Sequence, residues 1–220
     1  MRAIARTVTQ HSVAMRPWPA LAGGVWRAWL ALLAFAALFA LPACSHYDEL
    51  IEKDQVAAEK WSDVEVELQR RSDLVPNLVA TVKASAKHEE DTLAKVAEAR
   101  SQAAQIKLTG DDLSDPAKMA AFEKAQGELK GALARLMVVQ EQYPDLKANQ
   151  SFHDLQIQLE GTENRIQRAR QEYNRSAQEY NSMLLRISGQ VVNRVTGRPF
   201  RPRVYFQGTP ESQVAPKVSF

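Results

Sequence analysis

The sequence predicts an all-α protein: an antiparallel up-and-down four-helix bundle with an N-terminal signal peptide before it and an extended tail after it. Three observations carry that expectation. Apolar residues recur every three or four positions through four long runs, prolines fall between the runs rather than inside them, and a short apolar stretch behind a basic N-terminus ends at the only cysteine. The expected division is 1–43 signal peptide, 44–187 bundle and 188–220 tail, with helices near 46–71, 74–107, 116–142 and 149–187.

The leader comes first. Arg2, Arg6, Arg16 and Arg27 precede the apolar run Ala28 to Ala40, with no acidic residue among them. That run is shorter than the roughly 20 residues of a membrane span and suits the apolar core of a signal peptide. It closes on Leu41-Pro42-Ala43-Cys44, which resembles a bacterial lipobox, where cleavage after a small residue leaves a cysteine to be acylated. Ala43 and Cys44 are therefore the expected cleavage pair and Cys44 the lipidation site. The other reading is an uncleaved signal anchor from Val25 to about Ala43. Two or more acyl chains hold a protein stably on a bilayer where one is marginal. Ser45 after the cysteine, in place of Asp, favours the outer membrane by resemblance to lipoprotein sorting rules. The stretch before Met15 is unusually long for a leader, which makes Met15 an alternative start to Met1.

With the leader gone the charge changes sign. The whole chain has 28 basic and 26 acidic residues, and removing the four leader arginines leaves 24 against 26, a balance of −2. A mature surface of that charge exerts no general pull on nucleic acid. One cysteine also excludes an internal disulfide.

The first two runs flank one proline. Tyr47, Leu50, Ala57, Trp61, Val64 and Leu68 line one face before it; Val75, Val79, Val82, Ala86, Leu93 and Val96 line one after it. Ser72 and Asp73 are able to cap a new helix, so Ser72 to Pro76 reads as a turn. The alternative is a kink in one helix of about 90 Å, which the remaining segments are too short to cover. Thr109 to Asp115 is a polar linker of mobile composition. Ser114-Asp115-Pro116 is a cap with proline at the first helical position, and the third run then aligns Met119, Phe122, Leu129, Leu133, Leu136 and Tyr143 before Pro144 ends it.

The fourth run is the most regular. Phe152, Leu155, Leu159, Thr162, Ile166, Ala169, Tyr173, Ser176, Tyr180, Met183 and Ile187 keep three-four spacing, the period of a left-handed seam. The four runs are about 39, 50, 40 and 57 Å long, lengths that suit antiparallel neighbours. Ser188-Gly189 ends the pattern. Beyond it Arg194, Arg198, Arg201 and Arg203 alternate with Pro199, Pro202, Phe200, Tyr205 and Phe206, a composition that favours extended chain, either strapped along the helices or held out for a partner or lipid phosphates.

Several separated motifs resemble the LemA family: Trp61 with Arg70-Arg71, the run Asp73 to Val79, Val82-Lys83, His88-Glu89 and Ala99-Arg100. Further on come Glu141 to Asn149, Glu163-Asn164-Arg165-Ile166, Ala169-Arg170, Tyr173-Asn174, Tyr180-Asn181 and the closing Pro216 to Phe220. The match runs from Tyr47 to Phe220. It implies a four-helix up-and-down bundle beside an N-terminal membrane segment and carries no agreed enzymatic activity. Two departures stand out. Relatives often begin with a plain transmembrane helix, and often carry a proline where this chain has Ser188-Gly189.

Candidate sites are few. His88 with Glu89 and Glu90 lacks the second histidine of a zinc protease helix, and no Glu-x-x-His pair suits a di-iron bundle, so His88 belongs on a solvated face. No nucleophile turn or phosphate-binding glycine loop is present. No cofactor and no catalysis are expected. Arg71 and Arg100 fall on or near the apolar stripes, where pairing with Glu89 or Glu163 would fix the register of the bundle. The repeat Gln171-Glu172-Tyr173-Asn174 and Gln178-Glu179-Tyr180-Asn181 puts both tyrosines on the seam one heptad apart, either as core residues with satisfied hydroxyls or as the wall of a ligand pocket. Gly127 and Gly131 allow close helix approach or are tolerated surface glycines. The expected role is a membrane-anchored envelope scaffold or adaptor whose partners are the bilayer, through its lipid, and other envelope proteins. The alternative is a bundle binding a small ligand or lipid.

Overall fold

The computed structural model describes residues 22–86, 88–196 and 200–207, and among them every regular element is helical. Helix α1 spans Ala22–Ser85, α2 Glu90–Gln105, α3 Pro116–Val139, α4 Pro144–Lys147, α5 Gln150–Leu185 and α6 Ile187–Thr196, with 3-10 turns at Asp112–Ser114 and Gln140–Gln142. The chain divides into two compact units at Cys44 and Ser45. In the first, Trp26, Trp29 and Leu30 are exposed. The second holds the described core and everything that follows.

Three clusters make up that core. In one, Val75, Leu78 and Val82 of α1 meet Val96 and Ala99 of α2, Leu133 and Leu136 of α3, and Phe152 and Leu159 of α5. In the next, Trp61, Val64 and Leu68 meet Phe122 of α3, Ile166 and Tyr173 of α5, and Phe206. The last joins Leu50 to Tyr180, Met183 and Leu184. Rising residue numbers on α1 thus meet falling numbers on α5. Asp115 caps α3 by accepting from the Ala117 and Lys118 amides at 2.9 and 3.3 Å, and Asn149 caps α5 through those of Ser151 and Phe152 at 2.9 and 3.2 Å. Each cap contributes about 1 kcal/mol.

The structure departs from the sequence reading at three places. The first is Pro76, which interrupts nothing: α1 runs through Ser72 to Pro76 and ends at Ser85, so the break lies at 86–89. Proline has no N–H for the carbonyl four residues back, here that of Ser72. Arg100 on α2 supplies the donor instead, its Nε lying 2.9 Å from the Ser72 oxygen. The real break is marked by carboxylates, since Glu90 and Asp91 stand in the first turn of α2, where the helix dipole favours negative charge.

The linker Thr109 to Asp115 is the second departure, being ordered. Thr109 donates from its N–H and its hydroxyl to Asp112 at 2.8 and 2.7 Å, Lys118 pairs with the same carboxylate, and Leu108 and Leu113 are buried. Third, Ser188-Gly189 does not begin the extended tail. The chain breaks at Arg186 and resumes as α6. A Cβ on Gly189 would stand 2.5 Å from the Met183 oxygen and 2.8 Å from that of Leu184, so α6 folds back onto the end of α5 only because residue 189 has no side chain.

Candidate functional site: a tail clasped by a helix

The Tyr-Asn repeat of α5 holds the chain's own tail. Asn174 donates from Nδ2 to the Phe206 carbonyl at 3.0 Å while its Oδ1 accepts the Phe206 N–H at 2.8 Å. Seven residues on, Asn181 binds Arg203 in the same two-point fashion, at 2.8 Å for each bond. Asn193 of α6 does the same for Phe200 at 3.2 and 2.9 Å. The tyrosine hydroxyls complete the pattern, Tyr173 donating to the Val204 carbonyl at 3.0 Å and Tyr180 to that of Arg201 at 3.2 Å. A heptad of α-helix rises about 10.5 Å and three extended residues about 9–10 Å, so one helical repeat matches one triplet of tail. The tail runs antiparallel to α5.

Side chains then fix which triplets sit there. Phe206 stacks on Trp61 with ring centroids 5.6 Å apart and planes 20° off parallel, meets Tyr173 edge-on at 6.1 Å, and lies 4.3 Å beneath the Arg170 guanidinium. Arg203, 7% exposed, donates from Nε to Asp54 of α1 at 2.9 Å and from Nη1 to the Gly110 carbonyl at 3.3 Å. Phe200 packs edge-on against Tyr47. The Val204 N–H donates to the Leu113 carbonyl at 2.8 Å, and the Gln207 N–H to Glu123 at 2.7 Å. Burial pushes the Tyr173 and Tyr180 hydroxyls up to about 12 and lifts the Glu123 carboxyl above its ordinary range.

Of the four residues expected to set the register, the structure brings two together. Arg71, 2% exposed, donates from Nη1 to Glu163 at 2.9 Å and from Nη2 to the carbonyl and side-chain oxygens of Gln126, leaving its buried Nε without a partner. Arg100 turns to the Ser72 carbonyl, and Glu89 accepts from Thr92 and Tyr143 at 3.1 and 3.2 Å. His88 is exposed in the connection before α2. The side chains of Ala43, Cys44 and Ser45 lie outside the described residues. Among residues whose side chains are described, no helix is long and apolar enough to cross a membrane and no trio of His, Cys, Asp or Glu is placed to hold a metal.

The sequence reading gives Asn174 and Asn181 no role of their own beside the tyrosines, and Arg203, Asp54 and Phe206 no joint role. The missed signal was commensurate spacing: Phe200, Arg203 and Phe206 fall every third residue, as Tyr-Asn falls every seventh.

Fold and site together define a helical protein whose α5 asparagines and tyrosines bind the main chain of its own tail. The chain belongs to the LemA family, whose model matches residues 60–220. The whole clasp falls in that range apart from Tyr47 and Asp54, and Cys44 lies outside it. Similar proteins include magnetosome proteins MamQ 2 and MamQ 1 of Paramagnetospirillum magneticum, each 26% identical over 197 residues. Magnetosome protein MamQ of Magnetospirillum gryphiswaldense is 26% identical over 201 residues; all three alignments cover 82% of this chain and 70% of the relative.

Proposed function

We propose that this chain is a membrane-anchored helical scaffold or adaptor of the bacterial cell envelope, held by acyl chains on Cys44 after cleavage at Ala43, with Ser45 directing it to the outer membrane. Its long helices, α1 from residue 45 with α2, α3 and α5, form the antiparallel bundle that presents its surface to other envelope proteins. The clasp carries this reading: Tyr173, Tyr180, Asn174, Asn181 and Arg203, the residues with the most chemical potential, all grip main chain or pair across elements. Kinship with magnetosome proteins agrees with a membrane-associated location. The alternative, a ligand pocket at Tyr173 and Tyr180, finds the space around the Tyr173 ring filled by Trp61 and Phe206, while Tyr180 borders an open cleft of about 480 Å³.

The test has two parts. Intact mass of the native protein should show loss of residues 1–43 and acylation of Cys44. Affinity capture from detergent-solubilised membranes should recover other envelope proteins, and recovery of the bait alone, or an unmodified thiol, defeats the corresponding half of the reading.

A further inference from the structure

We infer that the ladder on α5 is a recognition site for an extended segment of another protein bearing aromatic-x-x-arginine-x-x-aromatic, and that residues 200–207 are its intramolecular occupant. The inference deepens the adaptor reading, on which it rests, by naming the partner's chemistry.

Three features support an exchangeable occupant over a permanent strap. First, the ladder binds the N–H and C=O of Phe200, Arg203 and Phe206, groups every peptide has, and only the pockets choose side chains. The Trp61, Phe122 and Tyr173 rings accept an aromatic, Asp54 and the Gly110 carbonyl accept a guanidinium, and Tyr47 accepts the second aromatic. Second, the tail is open to solvent in part: Arg201, Pro202, Tyr205 and Gln207 are exposed, whereas Arg203 and Phe206 are buried. An open cleft of about 480 Å³ is lined by Asp54, Gln55, Ser114, Tyr180 and Arg203, another of about 500 Å³ by Gln171, Asn174, Gln178 and Tyr205, and Tyr205 is 40% exposed. The outer rung at Asn174 borders the second of these clefts, so an incoming strand has a solvent-facing place to begin pairing. Third, the core around Val75, Val96, Leu136 and Phe152 contains no tail residue, so that half of the bundle stays closed when the tail leaves.

The tail competes from the same chain, at an effective concentration in the millimolar range, so a partner's apparent affinity is reduced accordingly. Weakening the tail should relieve that. The probe is a fluorescent octapeptide of residues 200–207, titrated into the full chain and into Arg203→Ala, with far-UV circular dichroism reporting the fold. The expected result is at least tenfold tighter binding to Arg203→Ala than to the unaltered chain, lost at least tenfold on adding Asn181→Ala, and absent for a scrambled octapeptide. A folded Arg203→Ala chain that ignores the peptide, or binds the scrambled one equally, overturns the proposal. Should Arg203→Ala unfold, the unaltered chain decides: the octapeptide carrying a photo-cross-linker in place of Tyr205, at millimolar concentration, must label 170–181, and labelling elsewhere or nowhere overturns it. Peptide binding without capture of envelope proteins sinks the adaptor reading alone, and capture without peptide binding sinks this one.

Discussion

Replacing Arg100 with alanine tests why a proline sits inside α1. The Ser72 carbonyl has lost its helical donor to Pro76 and receives the Arg100 Nε at 2.9 Å. A hydrogen bond from a charged group contributes about 1.5–3 kcal/mol net, and an acceptor left bare costs about 1–3 kcal/mol. Both residues are half-buried, so water reaches part of the gap and the low end applies, about 1.5 kcal/mol for Arg100→Ala. In a Pro76→Ala background the new N–H at residue 76 reaches the Ser72 carbonyl, and Arg100→Ala should then cost about 0.5 kcal/mol. The assay is a double-mutant cycle by urea denaturation of the four proteins. A coupling near 1 kcal/mol is expected, whereas additivity within about 0.3 kcal/mol would refute the claim that Arg100 stands in for the missing amide.

Three further outcomes follow from the same contacts. Phe206→Ala should destabilise the protein by about 3–5 kcal/mol, read as a drop in urea midpoint, because it empties the centre of the Trp61 cluster. Gly189→Ala should leave the core between α1 and α3 intact but release α6 and the Asn193–Phe200 bonds, seen as faster amide exchange at Phe200 with little change at Leu136 on α3. Raising pH should destabilise the fold between about 10 and 12: the native Tyr173 and Tyr180 hydroxyls, pushed up to about 12, keep protons that the unfolded chain releases near 10. Tyr173→Phe should flatten that alkaline loss in urea midpoints measured across the same range.

Much of the fold was legible because helix faces and caps are local. Asp115-Pro116 opened α3 as its residues predicted, and the fourth run's stripe from Phe152 to Met183 is largely the buried face of α5. What escaped was set by distant partners. Pro76 reads as a stop until an arginine 24 positions away is seen to bond the carbonyl that proline orphans. Polar composition made Thr109 to Asp115 look mobile, but Asp112 fastens the turn and Leu108 and Leu113 anchor it in the core. Of the four residues considered for the register, Arg71 and Glu163 meet, because their helices are neighbours there; Arg100 is drawn to the nearer carbonyl.

The clasp also shows why a ladder of this kind stays short. A heptad of helix outruns three polyproline-like residues by about 1 Å, so each further rung on the same helix would stretch bonds that tolerate only a few tenths of an ångström. Two rungs absorb the drift, at Asn174 and Asn181. A third at the next heptad would fall on Ser188, but there α5 has already ended, and the chain turns at Arg186, folds back at Gly189 and offers Asn193 from another helix instead. The break at the end of α5 therefore brings Asn193 to the third rung, and the clasp closes over the two triplets that separate Phe200, Arg203 and Phe206.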